Sequence, residues 1–304
     1  MCLHRRLKVE AKRKELFMKK IGITVDCVCD LPDKYLKAND IDVVFYNIIT
    51  STGRFKDGDE ITSENILEYL ESGGTKSETS PPSLEEYRAV FDNALKRYEE
   101  IVHFSLSDKL DGSVQSALNA IKDMGDNGKR VTVIDTENLS TGMGHMIMKA
   151  VEMRDSGWST AEIVQMAEDM KSMISTTFIT KDVDYLYRNG RVSKAVKNLC
   201  GFFSIYPVLI VKNGELALKT IKVGNYDKAV MRYIKGELKN NKKIDKKRLF
   251  ITHAGCPVRT ISKYRSEAEK IYRFDEVLVT KASATISSNC GPGTVGVLFV
   301  RRPD

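Results

Sequence analysis

The sequence predicts an α/β protein of two domains, in which an N-terminal parallel sheet with flanking helices precedes a C-terminal α+β domain. Its 304 residues exceed the length of a typical single domain. Up to about residue 150, short apolar runs alternate with segments of helical periodicity, which is typical of a parallel sheet covered by helices on both faces. From residue 176 the order changes, and two apolar runs flank Lys212-Asn213-Gly214-Glu215, which predicts a hairpin. We expect domains over residues 18–174 and 175–304.

The individual elements follow from periodicity, capping residues and turn residues. In the N-terminal half, strands are predicted at residues 21–26, 42–50, around 101–104 and 130–135. Helices are predicted at 62–71 and 83–98, a further one begins near 114, and a separate Met-rich helix ends at about 153. In the C-terminal half, strands are predicted at residues 176–180, 248–253, 276–280 and 294–300, and helices at 225–239 and 259–272. Two helix starts are well defined, because Ser83 with Glu86 and Ser159 with Glu162 each form a capping box.

The net charge of +7 is concentrated at the N-terminus. Residues 1–20 contain eight basic and two acidic side chains, which leaves 40 basic and 39 acidic residues in the remainder. The body of the chain therefore lacks the basic excess that a nucleic-acid partner requires. Residues 1–17 are interpreted as a basic extension, and they lack the apolar core of a secretory signal.

Composition and motif spacing argue against a membrane span, a zinc site and a dinucleotide cofactor. The chain has no run of 18 apolar residues, so a membrane span is not expected. Its six cysteines are scattered except for Cys27 and Cys29, which indicates reduced thiols in a cytoplasmic protein rather than a zinc site. Gly142 and Gly144 lack the third glycine of a dinucleotide motif, because Ile147 stands at its place. We expect no cofactor.

The most informative segment is residues 101–117, where a buried strand, a polar loop and a helix follow one another. A helix start offers unpaired N–H groups beyond the carboxyl edge of the strand, so the loop at residues 107–113 could hold an oxygen-rich ligand group. Asp111 could equally accept those N–H groups and cap its own helix. Thr79 and Ser80 lie on a second loop, which Pro81 and Pro82 stiffen.

Six short motifs follow one another along residues 20–304. They are Asp26-Cys27-Val28-Cys29-Asp30-Leu31-Pro32, Thr79-Ser80-Pro81-Pro82-Ser83, Leu110-Asp111-Gly112-Ser113-Val114-Gln115-Ser116-Ala117, Val133-Ile134-Asp135, Gly190-Arg191-Val192-Ser193 and Gly291-Pro292-Gly293. In that order they resemble D-S-x-x-D-L-P, T-S-x-P-[PS], L-S-G-T-Y-x-S-A, V-I-D-S, G-G-R-I-S and H-x-G-P-G of the DegV family of bacterial fatty-acid-binding proteins.

This resemblance implies two α/β domains with a long-chain fatty acid, or a related lipid, in a tunnel between them. It also implies that the protein is not an enzyme and that it presents the acid to a separate fatty acid kinase for phospholipid synthesis. The expected ligand-binding residues are Thr79, Ser80, Asp111, Gly112, Ser113, Arg191 and Asn289. No metal is expected at this site.

Three positions depart from the family motifs. Asp111 replaces a serine that donates to the carboxylate, Asn289 replaces a histidine, and Gly224 replaces an arginine. Two carboxylates about 4 Å apart repel by about 4 kcal/mol at an effective dielectric constant of about 20. Three alternatives follow: Asp111 turns aside to cap its helix, it shares a proton with the ligand, or the ligand is not a simple acid.

Two other functions remain open from the residues alone. Asp26, Asp30, Asp111 and Asp135 follow predicted strands at one sheet edge and could hold Mg²⁺ for an enzyme acting on a small phosphate or carboxylate compound. The basic extension could instead serve a partner-binding module. The sequence shows no catalytic nucleophile paired with a general base, so we favour the lipid-binding hypothesis over the enzyme.

Overall fold

The computed structural model describes residues 19–74, 77–200, 204–239, 241 and 243–303, so the basic extension lies outside the described residues. Its strands are β1 (Lys19–Asp26), β2 (Asp42–Val44), β3 (Asn47–Thr50), β4 (Gly53–Lys56), β5 (Ser77–Ser80), β6 (Tyr98–Ser105), β7 (Val131–Asp135), β8 (Ile174–Ile179), β9 (Ile205–Lys212), β10 (Glu215–Val223), β11 (Ile244–His253), β12 (Glu276–Lys281) and β13 (Val295–Arg301).

The helices are α1 (Asp33–Ala38), α2 (Ser63–Glu71), α3 (Leu84–Ala94), α4 (Asp108–Asp111), α5 (Ser113–Asp123), α6 (Thr141–Asp155), α7 (Thr160–Lys171), α8 (Asp184–Arg188), α9 (Lys194–Cys200), α10 (Tyr226–Lys239), α11 (Val258–Ile271) and α12 (Ala284–Cys290). Both capping boxes that the sequence predicts are present, at the starts of α3 and α7. Within the described residues, none of these helices combines the length and apolarity that crossing a membrane requires.

The first sheet is parallel and has the order β2-β1-β6-β7. Alternate residues of β6 point to opposite faces: Val102 and Phe104 pack with α6 and α7, whereas Ile101 packs with α3 and α5. Both faces are therefore covered by helices, as the alternation of patterns predicts. The loops after β1, β6 and β7 meet at the carboxyl edge of this sheet.

The second sheet has six strands in the order β10-β9-β8-β13-β11-β12, antiparallel except for the pair β11–β12. Helices α10 and α11 cover one face. Phe250 and Leu298 of the other face pack with Met143 and Met146 of α6, which also contacts the first sheet. Helix α6 therefore lies between the two sheets and is buried nearly all round. The division into domains at residue 174 stays a prediction.

A small third sheet, β4-β3-β5, is absent from the sequence-based prediction. The prediction of a single strand at residues 42–50 is wrong. The strand is interrupted at Phe45 and Tyr46, where the chain passes from the first sheet to the third. Thr79 and Ser80 lie in β5, not on a loop. The pattern Ser-Glu-Thr-Ser carries no apolar signal for a strand. The helix predicted to reach residue 98 ends at Ala94, and Tyr98 begins β6.

Candidate ligand-binding site

Thr79, Arg191 and Asn289 form one hydrogen-bonded chain. The Nδ2 atom of Asn289 donates to Oγ1 of Thr79 at 3.2 Å and to the carbonyl oxygen of Thr285 at 2.8 Å. Its Oδ1 atom accepts from Nε of Arg191 at 3.3 Å. The Arg191 guanidinium also donates to the carbonyl oxygen of Leu110, which precedes Asp111. Three of the residues predicted from sequence are thus joined, and Arg191 links them to the segment that carries three more, 111–113.

Asn289 is positioned by the way α12 is held at its first turn. Both carboxylate oxygens of Asp57 accept backbone N–H groups there, from Ala284 and from Thr285, each at 2.8 Å. Asp57 is fully buried, and burial raises the pKa of its carboxyl group. Ser283 caps the same helix by accepting the N–H of Ile286. Asn289 lies in the last turn, so its amide is carried on a short helix fixed at its start.

Asp111 ends helix α4, and Gly112, at φ +78°, turns the chain into α5. The Oδ1 atom of Asp111 accepts the N–H of Ser113, the first residue of α5, at 3.0 Å, which is one of the alternatives that the sequence leaves open. The Ser113 hydroxyl bonds Oγ of Ser105 at 3.1 Å. The Gly112 N–H is also occupied, because it donates to the carbonyl oxygen of Asp108. Both N–H groups of this loop therefore have acceptors in the structure.

The Tyr46 hydroxyl is a polar group at this loop that the sequence does not reveal. It faces Asp111 and Ser113, and Tyr46 is fully buried. Within the described part of the chain this hydroxyl has no hydrogen-bond partner. Burial raises the pKa of Asp111 and raises that of Tyr46 well above its usual range. The sequence does not reveal Tyr46, because its pattern predicts one continuous strand through residues 42–50.

Ser80, in contrast, is not joined to this group. Its hydroxyl donates to the carbonyl oxygen of Pro81 at 3.2 Å. It pairs across the third sheet with Asn47, next to the pair of Thr79 with Ile48. Gly224, the third departure from the family motifs, follows β10 at φ +98°. It does not line either cavity described below.

A small cavity adjoins Arg191 and Asn289, and a second small cavity adjoins the first. The first, about 40 Å³, is lined by Leu106, Leu110, Asp111, Leu139, Phe178, Leu186, Arg191, Leu216, Thr285, Ile286, Asn289 and Cys290. The second, about 30 Å³, shares Leu139, Phe178, Ile286 and Cys290 with the first and continues towards Ser140, Thr176, His253 and Gly296. Each is close to the volume of one water molecule. Cavities of this size among the described residues do not hold a long acyl chain, so binding one would require these apolar side chains to move.

A larger groove of about 650 Å³ lies elsewhere, between α6, α7 and the second sheet. It is lined by four methionines, Trp158 and charged residues at its rim, but by none of the residues predicted for the ligand site. Volume alone does not identify it as the functional site, because the polar groups that would orient a ligand converge at Asn289 instead.

The aspartates proposed as metal ligands have other partners. Asp26 accepts from the hydroxyls of Tyr87 and Ser105 and from the N–H of Leu106, each at 2.8 Å. Asp135 accepts from the N–H groups of Glu137 and Asp108. Among the described residues, no group of three or more His, Cys, Asp or Glu side chains is placed to hold a metal ion. The Mg²⁺ enzyme hypothesis therefore gains no support.

Asp30 has a structural role that the sequence did not indicate. Its carboxylate accepts from the Ser140 hydroxyl and, at 2.7 Å, from the N–H of Ser283. It therefore ties the loop after β1 to the starts of both α6 and α12. Burial raises the pKa of Asp30 to about 7. Ser140 is held at φ +55°, a conformation that is uncommon for a residue with a side chain.

Comparisons with known proteins agree on one family. The family model described as "Uncharacterised protein, DegV family" matches residues 20–302. A DegV domain-containing protein of Caldanaerobacter subterraneus subsp. tengcongensis is 31% identical over 287 residues, covering 93% of this chain and 99% of that protein. A DegV domain-containing protein of Deinococcus radiodurans is 26% identical over 291 residues, covering 91% and 97%.

Solved structures give the same result for the fold. A DegV family protein from Thermus thermophilus, described for its fatty acid binding, superposes with a TM-score of 0.81 at 27% identity, covering 93% of this chain and 100% of that one. A DegV family protein from Eubacterium eligens, loaded with heptadecanoic acid, gives 0.82 at 20% identity, with coverage of 93% and 100%. The second likeness shows the fold alone.

Proposed function

This chain belongs to the DegV family, and from that premise we propose that it is a non-catalytic carrier of a long-chain fatty acid. The observation that carries the proposal is the set of hydrogen-bond partners of Arg191. Its half-buried guanidinium donates to two neutral oxygens, of Leu110 and Asn289. No described carboxylate pairs with it. A cation held this way favours an anionic ligand, and a carboxylate suits the fork of donors on arginine.

Thr79 supports the same assignment. Its hydroxyl oxygen accepts from Asn289, and no described residue accepts its hydrogen. We propose that Thr79 and Arg191 donate to the ligand carboxylate and that Asn289 fixes the distance between them. Ser80, Gly112 and Ser113 complete the mouth of the site. The N–H groups of Gly112 and Ser113 become donors only when their present acceptors move aside.

We propose that the acyl chain follows the two cavities. They are lined mainly by apolar side chains and share Phe178 and Ile286, which lie between them. Burying an acyl chain contributes roughly 0.8 kcal/mol per methylene, so a long chain supplies ample free energy to displace a few side chains. We propose that these residues part to form an interdomain tunnel when the acid enters.

We propose that the protein works in the cytoplasm and presents its acid to a fatty acid kinase, as the family resemblance implies. Free cysteines support a reducing location: Cys27, Cys29, Cys200, Cys256 and Cys290 form no disulfide in the described part of the chain.

The test is mass spectrometry of lipid extracted from natively purified protein. We expect a long-chain acid in near-stoichiometric amount with the wild type, and a several-fold lower amount with Arg191→Gln. Arg188→Gln is the matched control, because Arg188 is an exposed arginine only three residues away, at the end of α8. The proposal fails if the wild type neither carries a lipid nor binds an added long-chain acid.

A further inference from the structure

Asp111 lines the cavity together with Arg191 and Asn289, the two residues proposed to hold the ligand carboxylate. The inference below therefore rests on the proposed function. A ligand carboxylate bound by Arg191 on the cavity side would share this small cavity with the carboxylate of Asp111. The capping bond from Ser113 uses only Oδ1 of Asp111, so it does not remove the second oxygen from the site.

Few groups near Asp111 can offset its negative charge. Asp26, at the end of β1, disfavours the charge of Asp111. Arg191 lines the same cavity, but its guanidinium donates to the carbonyl oxygen of Leu110 and not to the Asp111 carboxylate. Tyr46 and Tyr87 face it as neutral hydroxyls, since burial raises the pKa of both well above the usual range. Asp111 forms no ion pair with any described residue. A second negative charge would therefore lack compensation.

Two carboxyl groups in contact, away from bulk water, do not both ionise, because each disfavours the charged form of the other. We propose that Asp111 and the carboxyl group of the ligand share one proton, so that the protein selects an acid whose head group can carry a proton. The shared proton comes from solvent and lies between one oxygen of each group in an O–H···O⁻ hydrogen bond. No covalent bond other than this O–H is formed.

The unpartnered hydroxyl of Tyr46 fits this arrangement. It faces Asp111 and Ser113 from a fully buried position and lacks a partner among the described residues. A hydrogen bond from this hydroxyl to the paired carboxyl groups would satisfy it and would stabilise the single negative charge that they share.

The sign of the pH dependence follows from proton linkage. Where free Asp111 and the free acid are both ionised, formation of the complex takes up one proton. The dissociation constant then rises about tenfold for each pH unit. A head group that stays ionised at every pH, such as a sulfonate, cannot accept the proton and is disfavoured. A serine at position 111 would not impose either property.

Isothermal titration of the full chain with laurate and with dodecane-1-sulfonate, between pH 6 and 9, tests the proposal. Titration in two buffers of different ionisation enthalpy gives the number of protons taken up. For the wild type we expect uptake approaching one proton per laurate at alkaline pH, a rising dissociation constant, and binding of the sulfonate at least tenfold weaker than that of laurate.

Asp111→Asn and Asp111→Ser are the test variants, and Asp108→Asn is the control, because Asp108 lies in the same short helix but does not line the cavity. Both test variants should bind laurate without proton uptake and should bind the sulfonate nearly as well. Asp108→Asn should behave as the wild type. Laurate binding by the wild type without proton uptake and without pH dependence would overturn this inference alone. Failure of both laurate and palmitate to bind at any pH would overturn the proposed function as well.

Discussion

The amide of Asn289 is oriented by Arg191: its Oδ1 atom accepts from Nε of Arg191 at 3.3 Å, so its Nδ2 atom faces Thr79. This orientation makes the Thr79 oxygen an acceptor and leaves the Thr79 hydrogen for another partner. Thr79 and Arg191, the two donors proposed for the ligand, therefore both depend on the amide of Asn289 between them. Substitution of each of these hydrogen-bonded residues tests the site.

Arg191→Gln should weaken binding of a long-chain acid by roughly 10- to 100-fold, because a hydrogen bond to a charged group contributes about 1.5–3 kcal/mol. Glutamine keeps a polar side chain but loses the charge. Titration of palmitate against wild type, Arg191→Gln and the control Arg188→Gln measures the effect. Equal affinities in all three proteins would remove Arg191 from the site.

Asn289→Ala should lower the affinity about fivefold to tenfold, because it frees Thr79 and Arg191 to adopt other orientations. Asn289→His, which restores the residue of the family motif, should retain most of the binding. The same titration compares the two variants. If both lose affinity equally, Asn289 contributes through packing of α12 and not through a polar group.

Asp57→Ala should destabilise the fold by about 2 kcal/mol, since the N–H groups of Ala284 and Thr285 lose their acceptor at the start of α12. Urea unfolding gives the free energy of unfolding. Asp59→Ala is the matched control, because Asp59 is exposed two residues away. A change no larger than that of the control would show that α12 does not depend on Asp57.

Asp30 should give the stability a dependence on pH. Its pKa is raised by burial to about 7 in the folded state, so between about pH 4 and 7 the folded protein binds more protons than the unfolded chain. The free energy of unfolding should therefore fall as the pH rises through this range. Asp30→Asn should reduce that slope when both proteins are unfolded in urea at pH 5, 6, 7 and 8. Parallel curves would contradict the assignment.

Local signals in the sequence were sufficient for most of the fold. The capping boxes at Ser83 and Ser159 and the hairpin at Asn213-Gly214 depend on residues near one another in the chain, and all are present. The third sheet was missed because β5 is polar and pairs with β3 some 30 residues away. Such pairing depends on tertiary contacts.

The residues of the site likewise fall into those that sequence motifs identify and those that only the folded structure reveals. Motif order identified Thr79, Arg191 and Asn289, which the structure brings together. It could not show that Asp111 caps its helix through Ser113, because side-chain direction is set by packing. Nor could it find Tyr46 or Asp57, whose roles arise from segments that meet only in the folded chain.

A crystal structure of the protein with bound palmitate would show whether the acid lies at Arg191. We expect its carboxyl group within hydrogen-bonding distance of Arg191, Thr79 and Asp111, with the acyl chain passing between Phe178 and Ile286. Palmitate bound instead in the methionine-lined groove beside Trp158, with the two small cavities still closed, would contradict it.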